Sequence, residues 1–332
     1  MKIAMWYGEK KFVIKESQIP KPLNDQLVVK IHSAGICGTD IHITQNLFPK
    51  EIPNVLGHEF SGVIHSVGPK LSKDFIGKKV TCTIHASCKE CESCKNWSLM
   101  HCENSTRRDG AFAQYLLIDY GQAYFLNDKF DLEMASFVEP LACVISNINM
   151  IDLSNKKNAL VIGGGLLGLF AVSILKLRGV DNIMLSEPKK TRRNLGLEMG
   201  ASIVIDPNKE DIKEFVYNSS NNKGVDLCIE AVGIPELLAG AVKLVRPKGK
   251  IIMIGVSPKG KIFPVDLYDL HYKEISISAA MGAGNSFEEA LDTITMVYNP
   301  KLVAKRFSLN DIKKAFIEAE NGEGVKYLIS PN

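Results

Sequence analysis

The chain has 332 residues, 45% of them hydrophobic and 23% charged, with a formal net charge of +3. At roughly 150 residues per domain, two domains are the first expectation, with apolar content enough for a core in each. So small a net charge, with no basic stripe interleaved with aromatics, excludes nucleic acid as an expected partner.

In chain order, MKIAMWYGEKKFVIKE alternates apolar and charged residues and reads as a first strand; it has no apolar run of signal-peptide length. The strand-like LVVKI leads into ICGTDIH at 36–42, where Cys37 lies between Gly35 and Gly38. LGHEF at 56–60 carries His58 and Glu59 just before another strand, FSGVIHSVG. The polar segment CKECESCKNWSLMHC, 88–102, has no strand pattern. FVEPLAC follows, with Glu139 ahead of the stiffening Pro140. Short strands and turns dominate this half, so it is expected to be mainly β.

NALVIGGGLLGLFAVSILKL, 158–177, is long enough to suggest a membrane span, but its central glycines favour strand, turn and buried helix. ALVIG (159–163) is the predicted strand, and the helical pattern ends at Gly179. NIMLSE, MGASIVID, VDLCIEAVG and GKIIMIGV read as further strands, with LLAGAVKLV as a helix. This alternation predicts an α/β Rossmann domain, a doubly wound parallel sheet. SLNDIKKAFIEAENGEG is a predicted helix starting near Ser308, and VKYLI a last strand.

The chemistry-bearing residues fall into three groups. Cys88, Cys91, Cys94 and Cys102 have the spacing C-x2-C-x2-C-x7-C. Four thiolates can close a tetrahedron around zinc and leave no position for substrate, which makes such a site structural. An iron–sulfur cluster or unliganded thiols are the alternatives. Gly163, Gly165 and Gly168 form G-x-G-x-x-G between strand and helix, and Glu187 follows Gly168 by 19 residues. That context predicts a dinucleotide site made by the glycines with Leu166 and Leu167 between them. Glu187 would accept from a free ribose 2′-hydroxyl and repel a 2′-phosphate, which favours NAD over NADP. Lys189, Lys190, Arg192 and Arg193 are the competing signal, with Arg192 a candidate cofactor contact. The third group is Cys37, His58, Glu59 and Glu139; singly, each could equally be a packed or solvated residue.

Taken in order, ICGTDIH, GHEFSGV, the four-cysteine segment, GAFAQY (110–115), VEPLAC and GGGLLG resemble the zinc-dependent medium-chain dehydrogenases of the sorbitol (polyol) dehydrogenase type, over almost the whole chain. The resemblance implies a GroES-like catalytic domain at 1–145 and 283–332, with a structural zinc lobe at about 86–104, and a Rossmann NAD-binding domain at 146–282. It implies a catalytic zinc held by Cys37 and His58, with Glu59 bound directly or through water and Glu139 near the metal. Thr39 matches the hydroxyl that carries the substrate proton away. His42 could lie near the cofactor. Two zinc ions per subunit and NAD are the implied cofactors, and a homodimer or homotetramer in the cytoplasm, away from membranes, is the implied setting. The open, mixed-ligand site should exchange its metal more readily than the all-sulfur one.

The implied reaction is hydride transfer between NAD and a secondary alcohol: a polyol, a sugar alcohol or its phosphate, inositol or a diol. L-Threonine 3-dehydrogenase and 2,3-butanediol dehydrogenase are the alternatives within the class. A nucleotide-binding sensor of the same fold is the non-enzymatic one. Three positions depart from the pattern. Ser146 replaces a common histidine, Ile43 stands where sorbitol dehydrogenase has a tyrosine, and Ala111 where a second glycine is common. Cys82, Cys143 and Cys228 sit in apolar surroundings and are expected to pack.

Overall fold

Burial of seven of its ten residues makes the strand Gln26–Gly35 the spine of the N-terminal half. It pairs antiparallel with Glu59–Val67 along its length, with Tyr115–Asp119 over its first half, and with Lys326–Ser330 at its C-terminal end. The computed structural model describes residues 1–332. These divide into two compact units, Met1–Ala142 with Ala283–Asn332, and Cys143–Gly282.

In the first unit, Lys79–Cys82, Ala123–Phe125 and Val303–Ser308 complete a seven-stranded sheet. Leu27, Val29, Ile31, Phe60, Phe112 and Phe316 are core residues here, and Phe112 meets Phe316 edge-on at 5.7 Å. The N-terminal segment differs from the single strand expected. It is an antiparallel hairpin of Lys2–Trp6 and Phe12–Glu16. The reversal occurs at Gly8 and Glu9, with φ of 94° and 45°. A glycine at the first turn position supplies the positive φ that the hairpin needs.

The second unit is a six-stranded sheet with parallel pairing throughout, in the order Ile203–Ile205, Asn182–Ser186, Asn158–Ile162, Val225–Glu230, Val245–Met253, Ser276–Ser278. All six residues of Val225–Glu230 are buried, as a strand covered on both faces must be. The chain starts centrally at Asn158, builds to one edge, then returns beside its first strand and builds to the other. The order therefore reverses between Asn158–Ile162 and Val225–Glu230, and the ends of those strands are where such folds bind ligands.

The apolar stretch at 158–177 is a strand, a glycine turn and the helix Leu166–Leu177. That helix stops two residues short of Gly179, which takes φ 80°. Gly179 N–H donates to the Lys176 carbonyl at 3.1 Å and Val180 N–H to that of Leu175 at 3.0 Å, a Schellman closure. No helix is long and apolar enough to cross a membrane.

Gly168 lets this helix sit on its strand: a Cβ there would overlap the Gly163 carbonyl oxygen. Gly168→Ala should destabilise the fold by about 1–3 kcal/mol, the usual range for overpacking. An unchanged melting temperature in thermal denaturation would contradict this.

Candidate metal centres and nucleotide site

The four-cysteine segment is pinned at its base by the two-stranded pairing of His85–Ala86 with Thr106–Arg107. Lys89 adopts the left-handed conformation (φ 60°), which turns the backbone between Cys88 and Cys91. Cys91 precedes the short helix Glu92–Asn96, which carries Cys94, and Cys102 follows the 3-10 turn Leu99–His101. The sulfurs converge. Cys88 Sγ lies 4.0 Å from Cys94 Sγ and 3.5 Å from Cys102 Sγ, and Cys91 Sγ lies 4.0 Å from Cys102 Sγ.

These spacings fit zinc. With Zn–S near 2.3 Å, tetrahedral sulfurs sit about 3.8 Å apart. They do not fit disulfides, and all eight cysteines are free. Amide groups point at two of the sulfurs: Cys91 N–H at Cys88 Sγ at 3.3 Å, and Cys88 N–H at Cys102 Sγ at the same distance. Amide donors from Glu90 and Cys91 bring the Cys88 thiol down to about 6; burial pushes the Cys94 thiol the other way, up to about 12.

A second group forms where the spine strand ends. Cys37 caps the helix Gly38–Thr44, and His58 immediately precedes the strand Glu59–Val67. Ligand atoms of Cys37, His58 and Glu59 all lie within 4.8 Å of one another. His58 and Glu59 are buried, with 7% and 1% exposure. Sulfur, imidazole and carboxylate are zinc donors, so the set fits the ion. Glu139 is also buried, on the first turn of the helix Val138–Ile148, but is not part of this three-residue group. Thr39 is half-buried on the first turn of the Cys37-capped helix, and His42 lies one turn further along it.

The loop carrying His58 is braced from behind. Gly57, at φ 98°, accepts from Gly110 N–H at 2.8 Å and Ala111 N–H at 3.0 Å, and the Phe112 ring fills the space a side chain at 57 would need. The segment GAFAQY therefore acts by holding GHEF in place.

Two charged residues that sequence reasoning passed over complete this group. Asp40 accepts from Cys37 N–H at 3.1 Å through one oxygen and lies 3.6 Å from His58 Nδ1 through the other. It thus ties two candidate ligands together and fixes the imidazole, as outer-shell carboxylates do at metal sites. Burial lowers the His58 pKa, but the charges of Asp40 and Cys37 outweigh it and raise it well above the usual value. An acid at the third helical position after Cys37 was a readable capping signal. Lys326, on the last strand, donates to Glu59 Oε2 and to the Ile36 carbonyl, the latter at 3.0 Å. It had no local signal, being 267 residues from Glu59.

In the second unit each glycine of the motif has a geometric reason. Gly163 takes φ 99° at the end of the strand. Gly165 caps the helix Leu166–Leu177 with open space where a Cβ would be. A cradle that a side chain would fill, at a helix N-terminus with free N–H groups, fits a dinucleotide pyrophosphate. Leu166 and Leu167 form the first turn of that helix. Glu187 is 3% exposed, and its carboxylate accepts from Gly164 N–H at 2.7 Å and Lys189 N–H at 2.8 Å.

Of the basic run, Arg193 is already engaged: it donates to the Glu187 and Pro188 carbonyls at 2.7 Å and pairs with Asp206 at 3.1 Å. Arg192 is half-buried on the same helix, Lys190–Glu198. Glu230 was also passed over; at 1% exposure it closes the turn after its strand by accepting from Val232 and Gly233 N–H at 2.8 and 2.9 Å.

Gly35 lies opposite Glu59 in the strand register, and a methyl there would strike Glu59 Oε2 and sit 3.3 Å from Lys326 Cε. Gly35→Ala should lower the melting temperature, whereas Gly38→Ala, with nothing within 4 Å of its Cβ, should not. Equal melting temperatures for the two would contradict this packing.

Residues 23–128 match the alcohol dehydrogenase GroES-like domain family, and residues 167–296 the zinc-binding dehydrogenase family. The L-threonine 3-dehydrogenase of Pyrococcus furiosus is 31% identical over 270 residues, 79% of this chain and 76% of that protein. The sorbitol dehydrogenase of Bacillus subtilis is 27% identical over 345 residues, 100% of this chain and 98% of that protein. A putative zinc-binding dehydrogenase of Sinorhizobium meliloti 1021, solved bound to NADP, superposes with a TM-score of 0.93 at 28% identity, covering 99% of each chain. A GroES-like unit carrying both donor sets and a Rossmann-like unit carrying the glycine turn thus sit in one chain, as in relatives matched over most of their length. This chain belongs to the zinc-binding dehydrogenases and is a zinc-dependent oxidoreductase of small-molecule alcohols.

Proposed function

We propose that the enzyme transfers hydride between NAD and a secondary alcohol of the polyol type, with Cys37 and His58 holding the catalytic zinc and Cys88, Cys91, Cys94 and Cys102 a structural one. The observation that carries this reading is the convergence of Cys37, His58 and Glu59 at the end of the spine strand, separate from a closed four-sulfur set. When bound, zinc supplies a Lewis acid that lowers the pKa of an alcohol hydroxyl, and nicotinamide supplies the hydride acceptor.

The chain's own residues do the rest. Asp40 fixes the His58 ring and the Cys37 backbone, so these two donors stay in register. The Thr39 hydroxyl accepts the substrate proton and passes its own onward. His42 is the next carrier in this reading. Burial lowers its pKa, which keeps the imidazole neutral and able to accept a proton near pH 7. Glu139, buried on the first turn of Val138–Ile148, is the second carboxylate of this reading.

NAD is favoured over NADP because the Glu187 carboxylate is held by two backbone donors at the end of its strand and would repel a 2′-phosphate. Arg193, one of the neighbouring cations, is occupied by Asp206 and two carbonyls. L-Threonine is the second substrate reading, favoured by the Pyrococcus relative. Assembly into a homodimer or homotetramer is supported by the edge strand Ser276–Ser278, beside which Leu267, Tyr268 and Tyr272 are 74%, 64% and 67% exposed. A reducing, cytoplasmic setting suits eight free cysteines.

The test is turnover of a panel of polyols, diols and L-threonine with NAD and with NADP, read by absorbance of the reduced cofactor. Turnover of a polyol with NAD is expected. Cys37→Ser should lower kcat at least a thousandfold while NAD still binds. Full activity in that variant would refute the assignment of the catalytic metal.

A further inference from the structure

The pocket around Cys37 is overdrawn in negative charge. The Cys37 sulfur, a thiolate once it binds a metal, converges there with Asp40 and Glu59, the two carboxylates being 1% exposed. With a metal on the His58 imidazole that ring carries no proton charge, and Lys326 is the cation that opposes them. Lys326 is 4% exposed, its ammonium donates to Glu59 Oε2 and to the Ile36 carbonyl, and Gly35 leaves the space through which the two side chains meet. A buried ammonium persists only with such partners, and the pairing uses one of the two oxygens Glu59 could offer a metal.

We infer that Lys326 is a positioning residue that sets the charge of the catalytic metal pocket, holding the Glu59 carboxylate as its own partner and keeping that carboxylate from acting as a full metal ligand. This rests on the reading of Cys37 and His58 as zinc ligands. Lys326 cancels one of the three negative charges and leaves two, the number a divalent ion balances. With three uncancelled, the ion would be held more tightly and would draw less electron density from a bound oxygen. The lysine thus makes the open site looser and more electrophilic than its side chains alone would give. Zinc release, rather than turnover, reports it.

The experiment is the rate of zinc transfer from the purified holoenzyme to an excess of chromophoric chelator. Cys37→Ser provides the baseline for the four-sulfur site and separates the two claims. If that variant retains as much zinc as the wild type, the metal assignment fails, and the Lys326 inference with it. If it has lost one zinc per chain, the assignment stands and the lysine variants decide. Lys326→Met should slow release from the open site at least tenfold, and Lys326→Arg should restore it to within threefold of wild type. Release from Lys326→Met that is unchanged or faster would overturn the inference.

Lys326→Met leaves a buried carboxylate unpaired and can fail to fold. The double variant Lys326→Met with Glu59→Gln removes both charges, a change that buried pairs tolerate. It restores the wild-type charge balance and should release zinc within threefold of the wild-type rate. Release more than threefold faster would mean that Glu59 is a metal ligand in its own right and would overturn the inference.

Discussion

A charge withdrawn from water must find a partner, and that constraint organises the catalytic unit. At the end of the spine strand the fold collects a half-buried thiol with a buried imidazole, two buried carboxylates and a buried ammonium. Asp40 bridges Cys37 and His58; Lys326 answers Glu59. Isolated, any of these ions would cost several kcal/mol to bury. Together they form a polar cluster whose donors could hold a cation.

The two donor sets differ in kind. Four sulfurs about one tetrahedron edge apart, on a segment pinned by two short strands, would enclose an ion and leave it no open position. Sulfur, imidazole and a carboxylate already claimed by a lysine would leave an ion with a coordination position open. The difference lies in how many of each set's donors are available, and it follows from backbone placement: a knuckle of closely spaced cysteines in one case, the ends of a helix and of two strands in the other.

Local motifs were legible in the sequence; long-range pairing was not. The G-x-G-x-x-G turn could be read because strand, turn and helix are contiguous and each glycine answers a local steric demand. The four cysteines could be read because their spacing is itself the geometry. Cys37, His58 and Glu59 could be nominated, but their meeting depends on Gly35 pairing with Glu59 in the register of two strands. Lys326 was invisible for the same reason: nothing near residue 326 announces that its strand will lie beside residue 35. The N-terminal hairpin reads as a single strand in the sequence because the apolar alternation resumes on both sides of Gly8 and masks the turn.

The fold, with its parallel sheet and its GroES-like unit, thus follows from patterns a few residues wide, whereas the electrostatics of the metal pocket follow from tertiary register. Anomalous diffraction at the zinc edge from crystals of the holoenzyme tests the central claim most directly. Two peaks per chain are predicted, one among Cys88, Cys91, Cys94 and Cys102, the other within about 2.0–2.3 Å of Cys37 Sγ and a His58 ring nitrogen. A chain with no peak between Cys37 and His58 would contradict it.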